Sequence, residues 1–158
     1  MYRLSAHVFG GGERVPLLHD ARGLPLFYPT LFATAKLRNA GIAVNTIRNK
    51  LLDILVLLRW QAHQKSLRDL ELEFARGEFL TLADVLSIRD FASRDMRDLE
   101  ADGQSQSAGD SGVKMLEAWI GTVKPNRKVG GQQHYNRLST IADYLEFMAD
   151  ALCIHDRQ

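Results

Sequence analysis

The segment VNTIRNKLLDILVLLRWQAHQ, residues 44–64, carries the most regular helical pattern in the chain. Its apolar side chains recur at spacings of three and four residues, which predicts a helix with one buried stripe. The stripe consists of Ile47, Leu51, Ile54, Leu55, Leu58 and Ala62. Asn45 and Thr46 are both of a residue type that caps helix N-termini, so either could begin this helix. We therefore expect a core helix on which the remaining elements pack.

The first turns of this helix differ from its apolar body because they are polar and basic. They contain Asn45, Thr46, Arg48, Asn49 and Lys50. An exposed helix start with these side chains suits a phosphate backbone, since free N–H groups and cations attract anions. The same composition is also typical of an ordinary core helix with a solvated end. Both interpretations stay open on this segment alone.

The overall composition is that of a globular domain, with 158 residues of which 46% are hydrophobic and 25% charged. No apolar run reaches the roughly 18 residues that a membrane-spanning helix needs, so no membrane association is expected. The first residues hold too short an apolar run for a signal peptide. The single cysteine, Cys153, excludes an internal disulfide, and a reducing, cytoplasmic location is expected.

The net charge of +1 conceals an uneven distribution of charged residues. Residues 1–65 hold nine Lys or Arg and three acids, residues 66–111 hold five and eleven, and residues 112–158 hold six and five. Residues 21–52 contain five cations and residues 121–138 contain four, and neither stretch contains an acid. Such an arrangement can arise by chance. It also predicts a basic face for an anionic partner.

Two short strands are predicted at residues 2–9 and 14–19, on either side of Gly10, Gly11 and Gly12. Glycine supplies the positive φ that a tight reversal needs, so this region should form a β-hairpin. A phosphate-binding loop is the alternative for three consecutive glycines, but no GK[ST] sequence follows them. We expect a hairpin or arm before residue 24.

Residues 24–158 are expected to form one helical domain. A helix should run from Pro29 to about Asn39, with Gly41 just past its end, and Thr81 should cap another. A Ser-, Gly- and Gln-rich stretch at residues 99–112 is predicted to be a mobile loop.

The second long helix, predicted over residues 132–152, resembles the first in design. Its stripe contains Tyr135, Leu138, Ile141, Ala142, Leu145, Met148 and Leu152. A polar, basic front precedes the apolar rear, and a proline-broken basic segment at residues 124–128 leads into it. Two basic helix fronts that point the same way would form a clamp across a DNA groove.

No catalytic, metal or cofactor site is predicted from the sequence. The five histidines are scattered without metal-ligand spacing, and no GxSxG elbow is present. Tyr144 lies in the apolar stretch of a helix and is expected in the core. Trp60 and Trp119 could stack bases, but each lies among apolar residues, so core packing is the favoured interpretation.

Three segments, taken in order, carry a family resemblance. YPTLFATAKLRNAGIAVNTIRNKLLDILVLLRWQAHQ, residues 28–64, combines a helix, a short turn, an N-T pair and a helix ending in an aromatic residue. RGEFLTLADVLSIRDF, residues 76–91, follows it. HYNRLSTIADYLEFMAD, residues 134–150, has the pattern R-L-x-x-I-x-x-Y-L. Over about residues 24–152 the chain resembles the N-terminal core-binding domain of phage integrases, the tyrosine site-specific recombinases.

The resemblance implies a mainly α fold: a small SAM-like bundle of four to five helices, preceded here by a short β-hairpin outside the family's shared core. Such a domain clamps one face of a recombination-site duplex, and self-association on that site is expected. The family's catalytic set of Arg, Lys, His-x-x-Arg and nucleophilic Tyr is not found in the sequence. The resemblance therefore implies that this chain binds DNA without cleaving it, as the N-terminal part of a bacterial or phage-encoded recombinase acting in DNA integration. No cofactor or small-molecule substrate is implied.

Candidate DNA contacts fall into two groups, one at each helix front. The first group is Asn45, Thr46, Arg48, Asn49 and Lys50. The second group is Lys124, Asn126, Arg127, Lys128, Gln133, His134 and Arg137. The alternative is a helical protein-interaction adaptor that uses the acidic region 66–111, through Glu71, Glu73, Glu78, Asp84 and Asp90.

Overall fold

A computed structural model describes residues 2–64, 68–95 and 128–153 of the chain. The predicted fold class is confirmed: five helices and a two-stranded antiparallel hairpin lie within these ranges. The elements are β1 (Arg3–Val8), β2 (Arg14–His19), α1 (Phe27–Leu31, continued by a π-helical segment Phe32–Arg38), α2 (Val44–Ala62), α3 (Leu70–Ala75), α4 (Leu82–Ala92) and α5 (Gly131–Cys153). No helix in the described parts combines the length and hydropathy needed to cross a bilayer.

The hairpin forms as predicted, with Arg3 opposite His19 and Val8 opposite Arg14. The reversal depends on Gly12, whose φ of 81° is accessible to glycine and disfavoured for other residues. β2 then places Leu18 in the same buried cluster as the helices, with none of its surface exposed. The hairpin therefore packs on the bundle.

α2 is the core helix that its sequence predicts, with two differences. It is buried all round from Ile54 to Trp60, because the hairpin and the other helices cover it from several sides, while Ala62 is exposed. Its N-cap is Ala43, with an extended ψ of 143° and no side-chain hydrogen bond, so Asn45 and Thr46 are not caps. The helix begins earlier because the chain reverses at Gly41, whose φ is 73°.

α5 runs antiparallel to α2. Lys50 of α2 approaches Thr140 and Asp143 of α5, whereas Asp53, one turn later in α2, approaches Arg137, one turn earlier in α5. Tyr144 is buried, with its ring centroid 5.5 Å from that of Phe32, which confirms its core position.

The predicted cap of α4 is also confirmed, and a glycine follows α3. Gly77 follows α3 with a φ of 75°, and Thr81 caps α4 by a reciprocal capping box with Asp84. Trp60 is buried as expected and donates from Nε1 to Ser87 Oγ at 2.9 Å. The predicted loop at residues 99–112 and Trp119 lie outside the described residues.

Candidate anion-binding surface

The front of α2 presents four of its five predicted contact residues to solvent. Asn45, Thr46, Arg48 and Asn49 are exposed. Lys50 is half-buried, with Nζ 3.5 Å from Thr140 Oγ1 and 4.0 Å from Asp143 Oδ2. Lys50 is therefore partly engaged within the bundle, while the other four side chains are available to a ligand.

The backbone of the same turn adds donors to this surface. Because Ala43 supplies no capping side chain, the N–H groups of Val44, Asn45 and Thr46 have no hydrogen-bond partner among the residues that the structure describes. Unsatisfied N–H groups at a helix start carry the positive end of the helix dipole. A 19-residue helix thus begins with exposed donors next to an exposed arginine.

A groove of about 600 Å³ lies between the hairpin side of the molecule and α2. Among the residues that the structure describes, its lining contains the arginines Arg3, Arg22, Arg48 and Arg59 and one acid, Asp20. Its apolar lining comes from Leu4, Leu52 and Leu55. The three exposed arginines and Asp20 together give the lining a net charge of +2, apart from the buried Arg59, and this charge favours anions.

Asp20 serves the turn that forms one wall of the groove. Its Oδ1 accepts hydrogen bonds from the backbone N–H groups of Arg22 and Leu24, each at 2.9 Å. These bonds, led by that from Leu24 and helped by the charge of Arg22, hold the pKa of Asp20 below its usual value. The carboxylate therefore stays ionised and fixes the turn that carries Arg22.

The exposed arginines of the groove lack ion-pair partners. Arg3, Arg22 and Arg48 form no salt bridge with any residue in the described ranges. By contrast, Arg38 pairs with Glu13 at 2.5 Å and Arg89 pairs with Asp90 at 2.8 Å. The groove thus gathers three exposed arginines, of which Arg22 interacts electrostatically with Asp20, and leaves an excess of positive charge.

The second predicted contact group is dispersed, and one member requires a correction. Lys128 and Gln133 are exposed, and His134 places Nε2 2.9 Å from the carbonyl oxygen of Arg89. Arg137 is only 2% exposed, and its Nη1 donates to the carbonyls of Ala92 and Arg94 at 2.6 and 2.9 Å. The guanidinium of Arg137 thus faces the bundle interior and not the candidate surface. Lys124, Asn126 and Arg127 lie outside the described residues.

The two helix fronts also lie at opposite ends of the bundle. Because α2 and α5 are antiparallel, the start of α5 lies near the end of α2, where Lys128 and Trp60 border one cavity. The two fronts are separated by about 20 Å, at roughly 1.5 Å per helical residue. The prediction that they point the same way is therefore wrong.

The acidic residues proposed for a protein-interaction face are mostly used within the fold. Glu73 and Asp84 both pair with Arg68, and Asp90 pairs with Arg89. Burial raises the pKa of Glu71, so its carboxylate is poorly placed for a charged partner. Glu78 and Asp90 remain exposed, and beside them lie the exposed apolar side chains of Phe79, Leu82, Val85 and Leu86.

Arg3 and Arg22 are site residues that the sequence did not single out. Arg22 lies within the acid-free stretch 21–52, which was the available signal. Arg3 lies on a strand far from that stretch in sequence and had no such signal. Comparisons with known proteins assign nothing to this surface: no family model, no curated protein and no solved structure matches the chain.

Proposed function

We propose that this chain binds duplex DNA, as the N-terminal core-binding module of a tyrosine recombinase that acts in site-specific DNA integration. The observation that carries the proposal is the exposed, acid-free and uncapped start of α2. The resemblance of the sequence to integrase core-binding domains supports the recombinase part of the proposal. The chain binds the duplex, and cleavage belongs to a catalytic domain.

Each group at the start of α2 has a role in this proposal. Arg48 and the free N–H groups of the first turn contact backbone phosphates, which position the protein on the duplex. Asn45 and Asn49 carry amides that can pair with base edges in the major groove. Since all of these groups are exposed, binding requires no rearrangement of the core.

Contacts from the other end of the bundle extend this surface. Lys128 and Gln133 are exposed near the start of α5, about 20 Å from the front of α2 along the helix axis. Because the two fronts do not point the same way, a duplex held at the start of α2 reaches Lys128 only if it runs along the bundle, and one turn of B-DNA, roughly 34 Å, is long enough for that. Lys128 then neutralises a further phosphate.

The proposal is tested by measuring duplex affinity over a range of salt concentrations with a fluorescently labelled DNA. We expect the logarithm of the association constant to fall linearly with the logarithm of the salt concentration. Arg48→Ala should make this slope shallower by about one, which corresponds to the loss of one phosphate contact. Arg76→Ala is the matched control, because Arg76 is exposed and lies outside the groove. Salt-independent binding, or equal losses in the two variants, would overturn the proposal.

A protein-interaction function is the second candidate, favoured by the exposed apolar side chains on and before α4. Phe79 and Leu82 are 58% and 75% exposed, and Val85 and Leu86 lie one turn further along. Exposed apolar side chains in such a group are typical of binding surfaces. Failure to bind DNA, combined with a protein partner that is lost on Leu82→Asp, would favour this candidate.

A further inference from the structure

We infer that the groove lined by Arg3, Arg22, Arg48 and Arg59 binds phosphate groups, and that the hairpin is thereby one wall of the binding surface. The identification of the phosphates as those of a DNA backbone depends on the function proposed above. The phosphate chemistry of the groove does not depend on it.

The charges of the groove come from separate parts of the chain. Arg3 lies on β1, Arg22 lies in the turn after β2, and Arg48 lies on α2. Bringing like charges to one surface is unfavourable unless anions compensate them. Among the described residues Asp20 is the one acid of the lining, and it is held by the backbone of its turn, so an anion that enters the groove meets three exposed arginines and little competition from carboxylates.

α2 is built to present one charged and apolar face to the groove. Arg48, Leu52, Leu55 and Arg59 follow one another at spacings of four, three and four residues, so they share a side of the helix. Arg59 is 8% exposed and lies deeper than Arg48. The α2 side of the groove thus carries both leucine and arginine side chains, with Arg59 the more buried of the two arginines.

The opposite wall is held in place by the turn after β2. Gly23 has a φ of 84°, and a Cβ added there would lie 3.6 Å from Arg3 Nη2. Asp20 fixes the same turn through its bonds to Arg22 and Leu24. The side chain of Arg3 thus reaches the turn that carries Arg22, on the hairpin side of the groove.

Phosphate is the anion that this geometry fits best. Guanidinium groups bind phosphate oxygens through paired N–H donors, and groups approaching from several directions match a tetrahedral anion better than a planar carboxylate. The volume of about 600 Å³ exceeds that of one phosphate. The leucines of the lining then accommodate the sugar that follows a phosphate in a nucleic-acid backbone.

The test is a double variant, Arg3→Gln with Arg22→Gln, compared with the double control Arg14→Gln with Arg76→Gln. All four arginines are exposed, and only the first pair lines the groove. We expect the groove variant to lose on the order of tenfold in duplex affinity and to reduce the salt slope by about two. The control, with the same change in net charge, should lose much less. Circular dichroism checks that both variants fold.

A second probe separates this inference from the proposed function. Pyrophosphate binding is followed by NMR shifts of arginine side-chain N–H groups and by its competition with labelled duplex. If the wild-type chain binds pyrophosphate but not duplex DNA, and the groove variant does not bind pyrophosphate, the inference about the groove is supported and the DNA proposal is overturned. Duplex binding that needs Arg48 but is unchanged in the Arg3 and Arg22 variant overturns the inference and leaves the DNA proposal standing. If the groove variant still binds both pyrophosphate and duplex DNA as the wild type does, the inference is overturned as well.

Discussion

Arg48 and Arg137 carry the same side chain near the starts of two basic helices, yet their surroundings are opposite. Arg48 is exposed and borders the cationic groove. Arg137 is buried, donates to the carbonyls of Ala92 and Arg94, and lies 3.6 Å from Asp53. Burial lowers the pKa of Arg137, while Asp53 opposes that shift. Arg137 therefore joins α5 to the end of α4, whereas Arg48 is available to a ligand.

Arg68 is another arginine whose role is internal, since it joins α3 to α4. It donates to both carboxylate oxygens of Glu73, at 2.6 and 2.9 Å, and to Asp84. The bond from Arg68 lowers the pKa of Glu73. Burial tends to raise the pKa of Asp84, but bonds from Thr81 and Arg68 outweigh it and the net shift is downward.

We predict that Arg68→Gln lowers the free energy of unfolding by about 2 kcal/mol at neutral pH. A carboxyl group whose pKa is lower in the folded state stabilises the fold at a pH above its unfolded-state pKa. This stability is lost as the pH falls through its folded-state pKa. The difference between wild type and variant should therefore be largest above about pH 5 and shrink in more acidic solution. Urea denaturation across this pH range measures it, and a difference independent of pH would contradict the ion-pair assignment.

At the scale of the element, α2 combines a fully buried body with an uncapped start. Its middle, from Ile54 to Trp60, is enclosed on all sides, which fixes the helix in the core. Its first turn begins at Ala43, a residue that cannot accept hydrogen bonds through its side chain. A better cap would stabilise the helix, so the free N–H groups are consistent with a binding role for this end.

We predict that Ala43→Ser and Ala43→Asp both stabilise the chain by about 1 kcal/mol, because the extended backbone at Ala43 suits an N-cap. Their effects on DNA should differ. Aspartate places a negative charge beside Arg48 and should weaken duplex binding several-fold, whereas serine should weaken it less. Thermal unfolding and duplex titration measure the two effects. Equal DNA affinity in both variants would show that this helix start does not face phosphates.

At the scale of the whole molecule, the hairpin and the bundle share one hydrophobic core. Leu18 of β2 is fully buried in the same cluster as Phe32, Leu51 and Tyr144. This packing brings Arg3 and Arg22 against α2 and so creates the groove. The hairpin thus contributes both to stability and to the proposed binding surface.

We predict that Leu18→Ala lowers the free energy of unfolding by roughly 2–5 kcal/mol, through lost burial and the cavity that remains. The loss should appear in the helical circular dichroism signal at 222 nm, because the hairpin and helices share their core. Leu24→Ala is the control, since Leu24 is 60% exposed. An unchanged helical transition in Leu18→Ala would mean that the hairpin folds apart from the bundle.

The sequence by itself determined the elements whose signals are local. The glycine turn of the hairpin, the apolar body of α2, the Thr81 cap and the extent of α5 all follow from neighbouring residues, because helical period and capping act over only a few positions. The exposure of Arg48 followed in the same way from the polar start of its helix.

Tertiary structure alone decided which basic residues meet. Arg137 is buried by carbonyls more than forty positions earlier in the chain, and the antiparallel packing of α2 and α5 separates the two predicted fronts. The groove joins Arg3 of β1 and Arg22 of the turn after β2 to Arg48 of α2, and no local pattern relates Arg3 to the other two. The physical reason is that burial of Leu18 against α2 sets the position of the hairpin, and the positions of its charges follow from that packing.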